Sequence, residues 1–197
     1  MANLYFRYST MASGKSLDLL KTAYNYEERD KRVILITSNL DDRFGKNKIA
    51  SRVGISRDAL TFNRTTNLLD FVKQHCSGCD CVLVDEAQFL SKDQVWQLSD
   101  VVDQMGIDVV AYGLRSDFMG EPFEGSTHLM ALADEIEELK TVCKYGDRAS
   151  MNMRVQDGVP IFSGSQVLIG GNDSYIPVCR SYYKQMKLKH GQTENNS

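Results

Sequence analysis

Hydrophobic positions along the chain change period several times, and each change predicts an element. Leu4–Tyr8 is short and rich in aromatics, which predicts a strand. From Lys15 to about Arg29, Leu17, Leu20, Ala23 and Tyr24 recur at helical spacing, with charge accumulating toward the end. Arg32–Thr37 (RVILIT) is a nearly continuous branched apolar run, the pattern of a parallel strand covered on both faces. Asn39–Ile55 is mostly polar and predicts irregular chain with some helix. Ala59–Phe62 then predicts a strand, Asn67–Gln74 a helix and Cys81–Val84 a buried strand. Ser91-Lys92-Asp93-Gln94 fits a capping box, in which the Ser hydroxyl and the Gln amide satisfy free helix N–H groups. A helix to about Met105 follows, then a strand over Ile107–Tyr112, a helix over Leu129–Ala133 and a strand over Glu138–Cys143. Such alternation of strand and helix points to a mostly parallel α/β sheet.

The texture changes after about residue 142. Helical periodicity stops, and the short strand-like pieces Ala149–Val155, Pro160–Phe162 and Gln166–Ile169 are separated by glycines at 158, 164, 170 and 171. The expected organisation is a main domain over 1–141, a small β-rich domain over 142–184 and a polar tail over 185–197, disordered from about Leu188. The whole chain has 197 residues, enough for one core and a small appendage but too few for a two-lobed motor ATPase. No apolar run approaches the ~20 residues that span a bilayer, and no secretory signal is present, so a cytoplasmic protein is expected. The formal charge of −3 argues against non-specific nucleic-acid binding. An odd count of five cysteines does not resemble a disulfide framework. His75-Cys76-Ser77-Gly78-Cys79-Asp80-Cys81 reads as packing and a loop turn, since no second ligand pair lies nearby.

Two motifs carry chemistry. Ser9-Thr10-Met11-Ala12-Ser13-Gly14-Lys15-Ser16 lies between the first strand and the first helix and nearly fits the phosphate-loop pattern. Backbone N–H groups at the start of a helix would face a phosphate, Lys15 would reach its outer oxygens and Ser16 would ligate Mg²⁺. Ser9 stands where the pattern has its first glycine, and would be strained there if positive φ were required. The second motif is Val82-Leu83-Val84-Asp85-Glu86-Ala87-Gln88-Phe89, a buried strand ending in two carboxylates at the edge where parallel sheets bind ligands. Asp85 suits a Mg²⁺ contact, direct or through water, and Glu86 a general base. Asp-Glu-Ala-Gln also looks like a helicase box, which length and charge balance oppose.

With Asp41-Asp42-Arg43-Phe44, Tyr112-Gly113-Leu114, Asp117-Phe118, Gly170-Gly171, Tyr175 and Cys179-Arg180, these motifs resemble the type II thymidine kinases over residues 2 to about 183. The resemblance implies a RecA-like P-loop NTPase sheet with a small C-terminal β-rich lasso, covering about Gly146–Val178, that closes over the nucleoside. It implies transfer of the ATP γ-phosphoryl group to the 5′-hydroxyl of thymidine, giving dTMP, with deoxyuridine left open as a second acceptor. Glu86 then matches the catalytic base and Arg43 a charge-stabilising arginine. Ser9, Met11, Ala12, Ser13, Gly14, Lys15, Ser16, Asp85 and Gln88 match the nucleotide site, with Ser16 and Asp85 as the Mg²⁺ positions. Met11, Phe89, Leu114, Phe118, Phe123, Asn152, Gly170 and Tyr175 match the nucleoside site. A homotetramer inhibited by dTTP is implied as well.

The resemblance fails at zinc. Family members hold a structural zinc with two cysteine-containing pairs, and tetrahedral zinc needs four ligands. Only Cys143 and Cys179 remain here, with Gly146 and Tyr182 at their partner positions. No zinc is expected, and packing by Tyr145, Tyr182 and Tyr183 is expected to replace it. Two other classes stay in view. One is a nucleotide-regulated binding module with slow ATP hydrolysis. The other is a nucleic-acid zinc ribbon, opposed by the incomplete cysteine pairs.

Overall fold

The computed structural model describes residues 1–40, 47–166 and 174–191. Six strands form one parallel sheet: β1 (Leu4–Ser9), β2 (Val33–Ser38), β5 (Leu60–Phe62), β6 (Cys81–Val84), β7 (Asp108–Leu114) and β8 (Glu135–Glu138). Their order is β5-β2-β6-β7-β1-β8, so β1 lies between the last two strands of the sheet to be made. Helix α1 (Lys15–Glu27) covers one face through Leu19, Leu20 and Ala23, against Leu35, Cys81, Leu83, Val110 and Tyr112. Helices α2 (Leu68–His75), α3 (Lys92–Met105) and α4 (Glu124–Leu132) cover the other, against Phe6, Ile36, Val82, Val84, Val109 and Ala111. Strands covered on both faces must be apolar at every position, which is why these runs read as continuous rather than alternating.

The capping box of α3 is present: Gln94 N donates to Ser91 Oγ at 3.2 Å, and Ser91 N donates to Gln94 Oε1 at 3.0 Å. Two short strands, β3 (Lys48–Ala50) and β4 (Ser56–Asp58), pair antiparallel, and Arg57 ties them to Glu27 of α1. From residue 151 a separate antiparallel sheet of order β10-β9-β11 forms from β9 (Met151–Gln156), β10 (Val159–Ile161) and β11 (Ser174–Val178). Helix α5 (Arg180–His190) packs on it through Tyr183. No helix among the described residues is long and apolar enough to cross a membrane.

Several expectations are corrected. The last strand of the large sheet is Glu135–Glu138, not Glu138–Cys143, because parallel pairing with β1 runs from Tyr5–Glu135 to Tyr8–Glu138. It is an exposed edge, where glutamates are tolerated and discourage further pairing. Helix α4 begins five residues before Leu129, and Gly125 and Ser126 are buried within it. Residues 47–58 form a hairpin, where the polar pattern predicted irregular chain with some helix. Helix α5 holds Leu188, placed by sequence in the tail; a helix that buries only Tyr183 leaves little periodicity to read. Cys76 and Cys79 pack on the core around a turn with Gly78 at φ 70°, as read, and are also disulfide-bonded, which the sequence reading did not foresee. Gln166 lies in a bend, and 167–169 fall outside the described residues.

Candidate active site

The pleat of β6 decides where its acidic end points. Cys81 and Leu83 face α1, and Val82 and Val84 face the other layer, so Asp85 continues the α1 side. It is only 5% exposed and accepts from Ser16 Oγ at 3.0 Å. Its other oxygen accepts from Glu86 N at 3.0 Å. The Ser16–Asp85 bond joins the phosphate loop and the acidic strand end in one place.

The loop leaves β1 at Ser9, which remains in the strand and donates its hydroxyl to Leu139 O. Ser9 therefore needs no glycine-like freedom, contrary to the expectation from the motif. The left-handed residues are Ala12 (φ 55°) and Gly14 (φ 84°). Gly14 starts α1 without a capping side chain, so the first N–H groups of the helix are available to an anion. Lys15 Nζ donates to Thr10 O at 2.6 Å and Ser13 Oγ donates to the same oxygen at 2.8 Å, which curls the loop around its own carbonyl. A shallow recess lies beside it, lined by Ser9, Thr10, Arg115, Ser116 and Asn152 among others.

Glu86 has φ 54° and ψ 37°, a left-handed conformation that costs a non-glycine residue about 1 kcal/mol or more. This turns the chain out of β6 into a single 3-10 turn, Ala87–Phe89. Gln88, 2% exposed, donates from Nε2 to Glu86 Oε2 and accepts from Leu114 N at Oε1, 3.1 Å. Both ends of the amide are thus spent inside the protein, so Gln88 orients Glu86. Two glycines make room for this turn. A Cβ on Gly113 would come within 3.0 Å of Gln88 N and Oε1, and one on Gly125 within 2.5 Å of Ala87 O. Sequence reasoning assigned neither glycine a role, because nothing local marks a close approach between distant segments.

Leu114, Phe118 and Phe123 are buried, and Phe89 and Tyr175 are half-buried. Phe89 meets Phe123 edge-on at 6.0 Å between centroids, and Phe118 meets Tyr175 edge-on at 6.3 Å. The Arg154 guanidinium lies 5.1 Å over the Phe118 ring and is itself buried. Asn152 accepts from Met11 N at 2.8 Å and donates to Ser116 O at 3.1 Å, tying β9 to the phosphate loop and to the segment after β7. Asp117 accepts from Met119 N, Glu121 N and Gln166 Nε2. Tyr183 donates to Phe118 O at 2.7 Å, and burial, with Asp117 and Glu121 nearby, pushes its hydroxyl up to about 12. Arg154 carried no signal in sequence beyond its residue type; Asp117 entered through the family resemblance, and Tyr183, expected to pack in place of zinc, packs instead with Met153, Phe162 and Val178. The predicted residues Arg43 and Gly170 lie outside the described residues.

Cys143 and Cys179 pack together with Ala149 and Tyr182, and the rings of Tyr145 and Tyr182 lie 4.5 Å apart. Gly146 and Tyr182, at the positions a zinc clamp would complete, have no donor suited to zinc, so the residues present do not fit that metal. Ser16 and Asp85 are hard oxygen donors already in contact and do fit Mg²⁺.

Residues 2–183 match the profile of a family described as thymidine kinase. Thymidine kinase of Haemophilus influenzae strain Rd is 55% identical over 188 residues, covering 94% of this chain and 97% of that protein. The Salmonella typhimurium enzyme of the same name is 51% identical over 187 residues, covering 93% and 91%. That of Lactiplantibacillus plantarum is 50% identical over 184 residues, covering 93% and 96%.

Proposed function

The chain belongs to the thymidine kinase family, and we propose that Glu86 takes the proton from the 5′-hydroxyl of thymidine as that oxygen attacks the γ-phosphorus of ATP. The activity itself, phosphorylation of thymidine with ATP, follows from membership at 50–55% identity over most of the chain. The single observation that carries the site assignment is the Ser16–Asp85 hydrogen bond, which brings the phosphate loop beside the strand that ends in Glu86.

In this reading the uncapped N–H groups after Gly14 and the Lys15 ammonium hold the triphosphate, and Lys15 exchanges its bond to Thr10 O for phosphate oxygens. Ser9, Met11, Ala12 and Ser13 shape the loop. Ser16 and Asp85 would hold Mg²⁺, which when bound neutralises charge between the phosphates. Gln88 fixes the Glu86 carboxylate, so the base is oriented before substrate arrives. Arg43 is assigned to charge stabilisation on the transferring group. Phe89, Leu114, Phe118, Phe123, Tyr175 and Met11 supply the apolar walls of the nucleoside site, with Gly170 in the segment above it. Asn152 acts on the nucleoside through its hold on Met11.

Residues 142–184 are proposed as the lasso that covers the nucleoside and excludes water. An aromatic contact, Tyr145 on Tyr182, lies in it beside Cys143 and Cys179. A homotetramer, feedback by dTTP and a cytoplasmic location complete the proposal. The regulatory-module alternative loses support because Ser9 is an ordinary strand residue. Thymidine-dependent ADP release by purified protein, abolished in Glu86→Gln, is the deciding assay. ATP turnover that ignores thymidine would refute the reading.

A further inference from the structure

We propose that Cys143 and Cys179 are an oxidative modification site, a pair of thiols that hydrogen peroxide joins into a reversible disulfide at the base of the 143–179 segment. This does not rest on the assignment of catalytic residues. Of the five cysteines, Cys76 and Cys79 are already joined, and Cys81 is buried in β6 among apolar side chains. Cys143 and Cys179 are free thiols in one small buried cluster, with the two side chains within hydrogen-bond contact.

Their place in the fold gives the pair a consequence. Cys143 opens a tight turn, with Cys143 N donating to Asp147 O at 2.8 Å and Gly146 N to Cys143 O at 3.0 Å. Cys179 follows β11 directly and starts α5. Ser150 N donates to Val178 O at 3.0 Å, and Met151 pairs with Val178 across β9 and β11. The two sulfurs therefore sit where the two ends of the segment meet. A bond between them would close a long loop of chain while leaving Asn152 and its contacts where they are. The thiols are 4% and 8% exposed, which shields them from a bulky disulfide, so the probe is the small oxidant hydrogen peroxide.

The chemistry balances in two steps. The Cys143 sulfur attacks one peroxide oxygen, an S–O bond forms and the O–O bond breaks. The departing hydroxide takes the thiol proton and leaves as water. The Cys179 sulfur then attacks the Cys143 sulfenic sulfur, the S–S bond forms and the S–O bond breaks. A second water leaves with the Cys179 proton. Two thiols lose two electrons in all, and the peroxide is reduced to two waters.

The test uses the full chain, reduced, treated with stoichiometric hydrogen peroxide, alkylated and digested for mass spectrometry. The expected product is a linked peptide pair joining Cys143 to Cys179, lighter by two hydrogens and split by dithiothreitol. The thermal midpoint should rise by about 5 °C or more on oxidation, since crosslinks closing long loops stabilise most. Cys143→Ser and Cys179→Ser should each abolish that rise. The mass measurement on the unaltered chain needs no variant to fold. Recovery of both cysteines as free thiols, their conversion to sulfinic acid without a link, or a link with an unchanged midpoint would each overturn the proposal.

Discussion

Glu86 reaches its position through a left-handed backbone and is held there by one amide, so its chemistry and its placement separate cleanly in experiment. Glu86→Gln keeps the shape and removes the proposed proton acceptor, so kcat for thymidine should fall by about 10²- to 10⁴-fold with the KM for ATP nearly unchanged. Gln88→Ala leaves the carboxylate but frees it and leaves Leu114 N unpaired. There kcat should drop by about 10- to 100-fold, and a change confined to KM would contradict the positioning role. The residues with these roles divide sharply in how visible they were. Asp85, Glu86, Lys15 and Ser16 belong to contiguous motifs whose chemistry is readable one residue at a time. Gln88 orients Glu86 two residues away only because Leu114 N anchors its other end, and the parts of Arg154 and Tyr183 depend on Phe118, so no local pattern encodes them.

At the scale of elements, the hydrogen bonds of α3 offer a direct check on sequence reading. Ser91→Ala removes the acceptor for Gln94 N and should cost about 1 kcal/mol, or a fall of about 2–4 °C in thermal midpoint. Gly125→Ala is the harsher change, because its Cβ would press on the Ala87 carbonyl and push the 3-10 turn that carries Gln88. A loss of about 2 kcal/mol is expected, together with reduced kcat, read by denaturant titration and steady-state assay on the same preparation. The central strands β2, β6 and β7 were legible because burial on both faces forces nearly continuous apolar runs. Edge strand β8 and helix α5 were not, since one exposes glutamates and the other buries a single tyrosine, and neither periodicity survives such exposure.

For the molecule as a whole, alkaline pH exposes how much of the fold is held by neutral hydroxyls and thiols. Burial pushes Tyr183 and Cys81 up to about 12, and raises Tyr26 and Tyr112 as well. In the unfolded chain these groups ionise at ordinary values, near 10 for tyrosine and about 8.5 for cysteine. Their contribution is therefore complete below about pH 8.5 and is lost as pH climbs toward 12, where the unfolded chain has released protons the folded one still holds. The thermal midpoint should decline steadily above about pH 9, and Tyr183→Phe should flatten that decline between pH 10 and 12. An unchanged slope would mean that the Tyr183 hydroxyl is not shielded in solution.

The position of β1 between β7 and β8 has a bearing on how the protein is born. β1 is made before every other strand of its sheet yet is flanked by the last two of them, so it waits without strand partners while the others are made. A nascent chain arrested before residue 108 would hold β1 and the loop after it without the strands that flank β1 in the sheet. Chaperone engagement during translation should accordingly be longest over the amino-terminal segment and end only once residues 108–138 have emerged.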